Sequence, residues 1–313
     1  SISLSDGKRI VLAVISLGIV GGFQFSFLKR TLRTLPLFEA PLHRVAGELA
    51  ADTDHRFMVD GQYSTGSHFH RDLLPLLSKR PQLQSYSLGY HATFSTYYAE
   101  HMKPAPTGLR LFNVSTLVTR NNADVPSAFE FYRGIGKYKI YRVPGAEQWG
   151  YFDLVWPGPN VQGSLRAMRE TLSKLAPELF EKNMVAVLKS EPDQDVQIGQ
   201  PPAEKRAPKG QVLSTSRASA QFQTKVEAES GAWLLFKVNY FPFWNATING
   251  VSTTIHHVAP NFMAVELPGG FHEVSFNYEN PWLQKLGAVI SLLWLFIWPI
   301  WSWRRVRRKV AAA

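Results

Sequence analysis

Ten residues between 52 and 72 form the densest polar cluster of the chain: Asp52, Asp54, His55, Arg56, Asp60, Tyr63, His68, His70, Arg71 and Asp72. On a strand, His68-x-His70 would set two imidazoles on one face, with Asp60 or Asp72 as a third metal ligand. Asp52 with Asp60 or Asp72 could work as an acid and base pair, at a separation that sequence does not fix. An ordinary polar loop, its charges paired or solvated, accounts for the same residues. Because a two-residue His spacing is common by chance, no metal and no cofactor is expected. A second group, Tyr86, Tyr90, His91, Tyr97 and Tyr98, offers aromatic faces that suit the C–H faces of pyranose rings. Packing against a domain core is the alternative. The residues assigned to glycan contact are Tyr63, His68, His70, Arg71, Asp72, Tyr86, Tyr90 and His91. No catalytic residue is assigned.

Other chemistry is excluded more firmly. The 313 residues hold no Cys, which removes disulfides, thiolate metal sites and a Cys nucleophile. No phosphate-binding glycine loop, nucleophile elbow or zinc-protease helix motif occurs. The net charge of +10 raises nucleic acid as a partner until the charges are located. Ten basic residues sit in two clusters, Lys8, Arg9, Lys29, Arg30 and Arg33, then Arg304, Arg305, Arg307, Arg308 and Lys309. Between 34 and 284 the chain is balanced, 23 basic against 23 acidic residues. No nucleic acid is expected.

Each cluster flanks an uncharged run. Ile10 to Leu28 and Leu286 to Trp303 are each long enough, as helices, to cross a hydrocarbon core of about 30 Å. Trp282, Trp301 and Trp303, with Arg304, Arg305, Arg307, Arg308 and Lys309, read as interface anchors. The positive-inside rule then puts both termini in the cytoplasm and residues 34–284 outside a bacterial inner membrane, with membrane lipid as a partner. Ser1 in place of Met implies a chain that is processed, trimmed or cut from a longer one.

Between the runs, an amphipathic stretch ending near Ala51 predicts a helix, and Phe57 and Val59 a strand. Arg71 to Leu77 predicts another helix. Leu109 to Arg120 alternates as a strand, Phe129 to Val143 as a hairpin, and Tyr151 to Val155 as a further strand. Residues 164–188 have helical period, with Ser164 as N-cap and a break at Pro177. The Pro-rich segment 191–210 predicts a linker or exposed loop. After it, strands alternate around an Asn249-Gly250 hairpin turn and a Pro268-Gly269-Gly270 turn, predicting a membrane-proximal sandwich of about seven strands over 211–281. The expected class is a membrane-anchored α+β protein, two transmembrane helices (10–28 and 286–303) flanking an α/β ectodomain (34–190) and an antiparallel β-sandwich, with a basic cytoplasmic tail at 304–313.

This last module carries a family resemblance. Tyr240-Phe241-Pro242-Phe243-Trp244-Asn245-Ala246-Thr247-Ile248-Asn249-Gly250 resembles the YYPGW-x-A-x-V-D-G strand and turn of YfhO-like bacterial membrane proteins of the GT-C glycosyltransferase type. Phe262-x-Ala264-Val265-x-Leu267-Pro268-Gly269-Gly270-x-His272-x-Val274-x-Phe276-x-Tyr278 is similar to the F-x-AV-x-LPAG-x-H-x-V-x-F-x-Y that follows it there. Leu111 to Thr119 is similar to that family's LLNVRYVVT. Phe243 stands where the family has Gly, and Asn249 where it has Asp. The resemblance implies an exoplasmic portion that handles a polyprenyl-linked sugar or glycan. GT-C catalysis uses a carboxylate at the mouth of a many-helix bundle, so the catalytic membrane part is expected in missing N-terminal spans or other membrane subunits. A membrane-anchored interaction subunit of an envelope complex is the alternative. A metal-dependent envelope hydrolase, resting on His68 and His70, is a third.

Overall fold

In the computed structural model the described residues are 40–59 (less 53), 106–119 and 125–279 (less 126, 192, 193, 201, 203–205, 219 and 220), with Ser78 and Val289 besides. The chain divides into two compact units, Ser1–Gly150 and Tyr151–Ala313.

The first unit is built on a four-stranded sheet. Helix α1 (Ala40–Ala50) places Leu42, Val45, Ala46 and Leu49 on one face, at the spacing of an amphipathic helix. These residues pack with Phe57 and Val59 of β1 (Arg56–Val59) and with Val118 of β2 (Val114–Thr119). Ile135 of β3 (Glu130–Ile135) and Tyr138 and Ile140 of β4 (Tyr138–Arg142) complete this core. Strand order is β1-β2-β4-β3. β1 and β2 are parallel, so the chain between them must cross over rather than turn back. Helix α2 (Pro106–Leu111) ends that crossover. The sequence predicts strand from Leu109, but Asn113 takes φ 55° and separates a helical turn from β2.

The second unit opens with β5 (Phe152–Gly163), α3 (Leu165–Glu181) and β6 (Met184–Ser190), a parallel strand-helix-strand unit. The Ser164 hydroxyl accepts from the Ala167 N–H at 3.3 Å, capping α3. Pro177 lies inside the helix, which runs only one further turn. Asn183, at φ 55°, stops it. Residues 184–188, predicted helical with the rest of the run, are therefore strand.

Nine further strands follow: β7 (Gln197–Ile198), β8 (Gly210–Ala218), β9 (Gln221–Ala228), β10 (Trp233–Phe236), β11 (Trp244–Ile248), β12 (Val251–Thr253), β13 (His256–Val258), β14 (Phe262–Glu266) and β15 (Gly270–Tyr278). They do not form one sandwich. β10, β14 and β13 join β6, β5 and β7 in a six-stranded sheet, and β10 also pairs β5. That extra pairing closes β5, β10, β14, β13 and β6 into a ring. The N-terminal third of β5 meets β10, while its remainder meets β6. The other strands make a five-stranded antiparallel sheet, β12-β11-β15-β9-β8. Between the two, Phe236 touches the rings of Phe152, Phe222, Trp244 and Phe276 at centroid distances of 4.9, 4.8, 5.5 and 4.5 Å.

The expected class is thus corrected. The described residues are mostly β-sheet, 51% strand against 18% helix, and among them no two transmembrane helices flank an α/β ectodomain. Among the described residues no helix is long and apolar enough to cross a membrane. The runs Ile10 to Leu28 and Leu286 to Trp303 lie outside the described residues. Part of the excess helix has a local cause, since Asn183 halts α3 and hands its apolar tail to a sheet.

Candidate functional site

None of the glycan-contact residues chosen from sequence can be located: Tyr63, His68, His70, Arg71, Asp72, Tyr86, Tyr90 and His91 all lie outside the described residues. So do the interface anchors Trp282, Trp301, Trp303, Arg304, Arg305, Arg307, Arg308 and Lys309. The earlier members of the polar cluster do come together, at the N-terminal ends of the parallel pair β1 and β2. The Asp52 carboxylate accepts from His55 Nδ1 at 2.8 Å, from Ser115 Oγ at 3.1 Å and from the Asp54 N–H at 3.2 Å. His55 Nε2 lies 3.0 Å from the Trp149 carbonyl oxygen. Asn113 Nδ2 donates to the Asp54 carbonyl at 2.7 Å, and an Arg56 guanidinium nitrogen to that of Phe112, also at 2.7 Å.

The residue types suggest a hydrolase triad, but the order is wrong. In a triad the imidazole stands between hydroxyl and carboxylate to take the hydroxyl proton. Here the carboxylate stands between, and the second ring nitrogen is occupied by a backbone carbonyl. The arrangement ties together three stretches of chain, around 52–56, 113–116 and 149. It is a latch for β1 and β2. Among the described residues, no group of three His, Asp or Glu is placed to hold a metal ion.

The second unit holds a polar group that sequence reasoning passed over. Lys237 is fully buried, and its Nζ lies 2.7 Å from Asp153 Oδ2 and 5.5 Å from the centre of the Phe180 ring. Its backbone N–H donates to the Tyr151 carbonyl at 2.8 Å. Alternation predicts Lys237 on a polar face, yet Trp233 to Lys237 is buried throughout, because β10 is flanked on both edges and covered on both faces. A single Lys in an otherwise apolar run was the available signal. The ion pair joins the end of β10 to the start of β5, where the ring closes.

Two histidines of β13 stack on aromatic rings, His256 on Trp233 at 4.3 Å and His257 on Tyr240 at 4.5 Å. Burial pushes the His257 pKa below its ordinary value, against the Asn261 Oδ1 bond at 2.8 Å that pulls the other way. Of the aromatic motif at 240–244, Trp244 packs edge-on against Phe236 and Tyr278, while Phe241 and Phe243 remain exposed.

A sequence model of the family described as bacterial membrane protein YfhO matches residues 203–291. That segment is YfhO-like. It takes in β8 to β15, hence the whole five-stranded sheet and three strands of the ring. It includes the Asn249-Gly250 turn, both of whose residues have positive φ, 51° and 80°. The match is a likeness of that segment, 89 of the 313 residues, to a family of bacterial membrane proteins. No curated protein and no solved structure matches the chain.

Proposed function

We propose that this chain is an extracytoplasmic part of a YfhO-like bacterial membrane protein that handles envelope glycan or its lipid-linked sugar donor, without being the catalyst itself. One observation carries the reading, the family match across the sheet-forming half of the second unit. YfhO-like proteins resemble GT-C glycosyltransferases, whose catalytic carboxylate sits on a many-helix membrane portion. The described part of this chain supports a role beside such a centre, because its one hydroxyl, carboxylate and imidazole cluster has the geometry of a latch. The decisive experiment deletes the whole gene in its own bacterium and measures envelope carbohydrate composition and linkage by mass spectrometry. Loss of particular glycosyl substituents is expected. An unchanged carbohydrate profile, with a membrane complex that falls apart on native gels, would instead establish an interaction subunit.

A further inference from the structure

Alternation along β9 and β15 buries Phe222, Thr224 and Val226, and Val274 and Phe276, which turns the intervening residues to the opposite face of the five-stranded sheet. Register then arranges that outer face in rows. Asn245, Asn277, Gln221 and Ala218, from β11, β15, β9 and β8, make one row. Ser252, Thr247, Ser275, Gln223 and Ser216 make the next, across all five strands. Eight of these nine positions present an uncharged amide or hydroxyl. Charge enters only beyond them, where Glu273 pairs across from Lys225 and Phe271 from Glu227.

Solvation alone asks for less than this. A water-facing sheet surface is polar, but Asn is depleted in strands, and here two Asn oppose each other on adjacent strands with a Gln beside them. Such a departure from local preference is expected where function selects the residues. The hydrogen bonds add direction. Ser275 Oγ accepts from Asn277 Nδ2 at 3.1 Å and Gln221 Nε2 at 3.4 Å. Its own hydroxyl proton and the two amide oxygens therefore have no protein partner among the described residues. Amides and hydroxyls both donate and accept, as each hydroxyl of a sugar does. Neighbouring side chains stand about 4.8 Å apart across strands and about 6.8 Å apart along them, the scale of a sugar ring.

Beyond the charged pair, Phe271 is 68% exposed. It borders a shallow depression of about 220 Å³, lined also by Leu213, Lys225 and Glu273. That volume is below the roughly 300 Å³ at which pockets for drug-sized ligands begin, so it suits one ring set against an aromatic face.

We propose that this sheet face binds a neutral, polyhydroxylated glycan chain, laid over the two uncharged rows with one ring against Phe271. The proposal rests on the glycan-handling reading above and names its contact surface. Neutrality follows from the charges: the rows hold none, and Lys225, the cation at their edge, is matched by Glu273 and Glu227, so a polyanion finds no net attraction.

The test is titration calorimetry on the full chain in detergent with maltohexaose, laminarihexaose and chitohexaose, and with poly(glycerol phosphate) as the anionic probe. Binding of at least one neutral hexasaccharide is expected. Asn277→Ala with Gln223→Ala should weaken it roughly thirtyfold, about two hydrogen bonds' worth, at an unchanged thermal midpoint. Phe271→Ala should weaken it about tenfold. Should the alanine pair unfold, Asn277→Asp with Gln223→Glu keeps the shapes and must weaken binding likewise. Binding of no neutral probe, preference for the anionic one, or indifference to both substitution pairs overturns the proposal. So does a concentration-dependent dimer that these substitutions abolish, since a second copy would then occupy the face. In the bacterium, a deletion of the whole gene that alters envelope carbohydrate while the alanine pair does not would sink this surface and leave the broader reading standing. A deletion without effect on carbohydrate sinks the broader reading itself.

Discussion

Removing either partner of the Lys237 and Asp153 pair deletes the same ion pair, yet the two losses should differ severalfold. Lys237 has no solvent exposure, whereas the Asp153 side chain keeps 20% of its own. Asp153→Ala leaves an ammonium in the interior without its carboxylate. Removing one partner of a buried ion pair costs about 3–5 kcal/mol. Lys237→Met removes the charge, keeps most of the apolar stem against Phe180, and leaves a carboxylate whose facing oxygen is buried while its side chain keeps 20% exposure. Its cost should stay under about 1.5 kcal/mol, as for volume-conserving swaps. In a unit of this size each kcal/mol moves the melting midpoint by about 2–4 °C. Asp153→Ala should therefore lower it by roughly 6–20 °C and Lys237→Met by no more than about 6 °C. Urea unfolding of the full chain in detergent, with slopes compared across variants, gives the same contrast as free energies. Equal losses for the two variants, or a larger loss for Lys237→Met, would refute the idea that buried charge rather than the pair itself sets the penalty.

The pKa of His257 is held down by burial, so the unfolded chain binds its proton first as pH falls. Stability from this residue is complete above about pH 6.5 and declines as pH drops from there toward the lower folded value. His257→Gln should flatten unfolding midpoints over that window, and a slope equal to the parent protein's would contradict the assignment. Gly210 has φ 139°, and a Cβ there would meet the Glu227 carbonyl oxygen at 2.1 Å. Gly210→Ala is expected to cost about 3 kcal/mol or more in a denaturant titration by forcing β8 off β9, and a loss below about 1 kcal/mol would be incompatible with that contact. At Asn183 the left-handed backbone predicts that Gly is tolerated within a few tenths of a kcal/mol and that Ala costs about 1 kcal/mol, readable from the same titration.

Local chemistry made much of this legible. Ser164 as a helix cap, the hairpin turn at Asn249-Gly250 and the end of α1 near Ala51 each depend on a few adjacent residues, and the structure has them. What could not be read depends on distant partners. Nothing within residues 233–237 says that β10 has neighbours on both edges, so Lys237 looked like a surface residue. The apolar tail at 184–188 fits helix or strand, and only pairing with β5 decides it. The site chosen from sequence followed residue type, which favours His and Tyr. The amide rows were invisible because Asn245, Asn277 and Gln221 are dispersed in sequence and meet only through strand register.

Closure of the ring sets family resemblance and folding autonomy apart. The segment that matches the family begins at 203, but its strands β10 and β13 find partners in β5 and β6, which lie before it. A chain cut at 203 would expose the edge of β10 that faces β5 and strip Lys237 of Asp153. The matched segment is thus shorter than a stretch that keeps every one of its strands paired. Expression, transplantation or domain swapping should start no later than Tyr151.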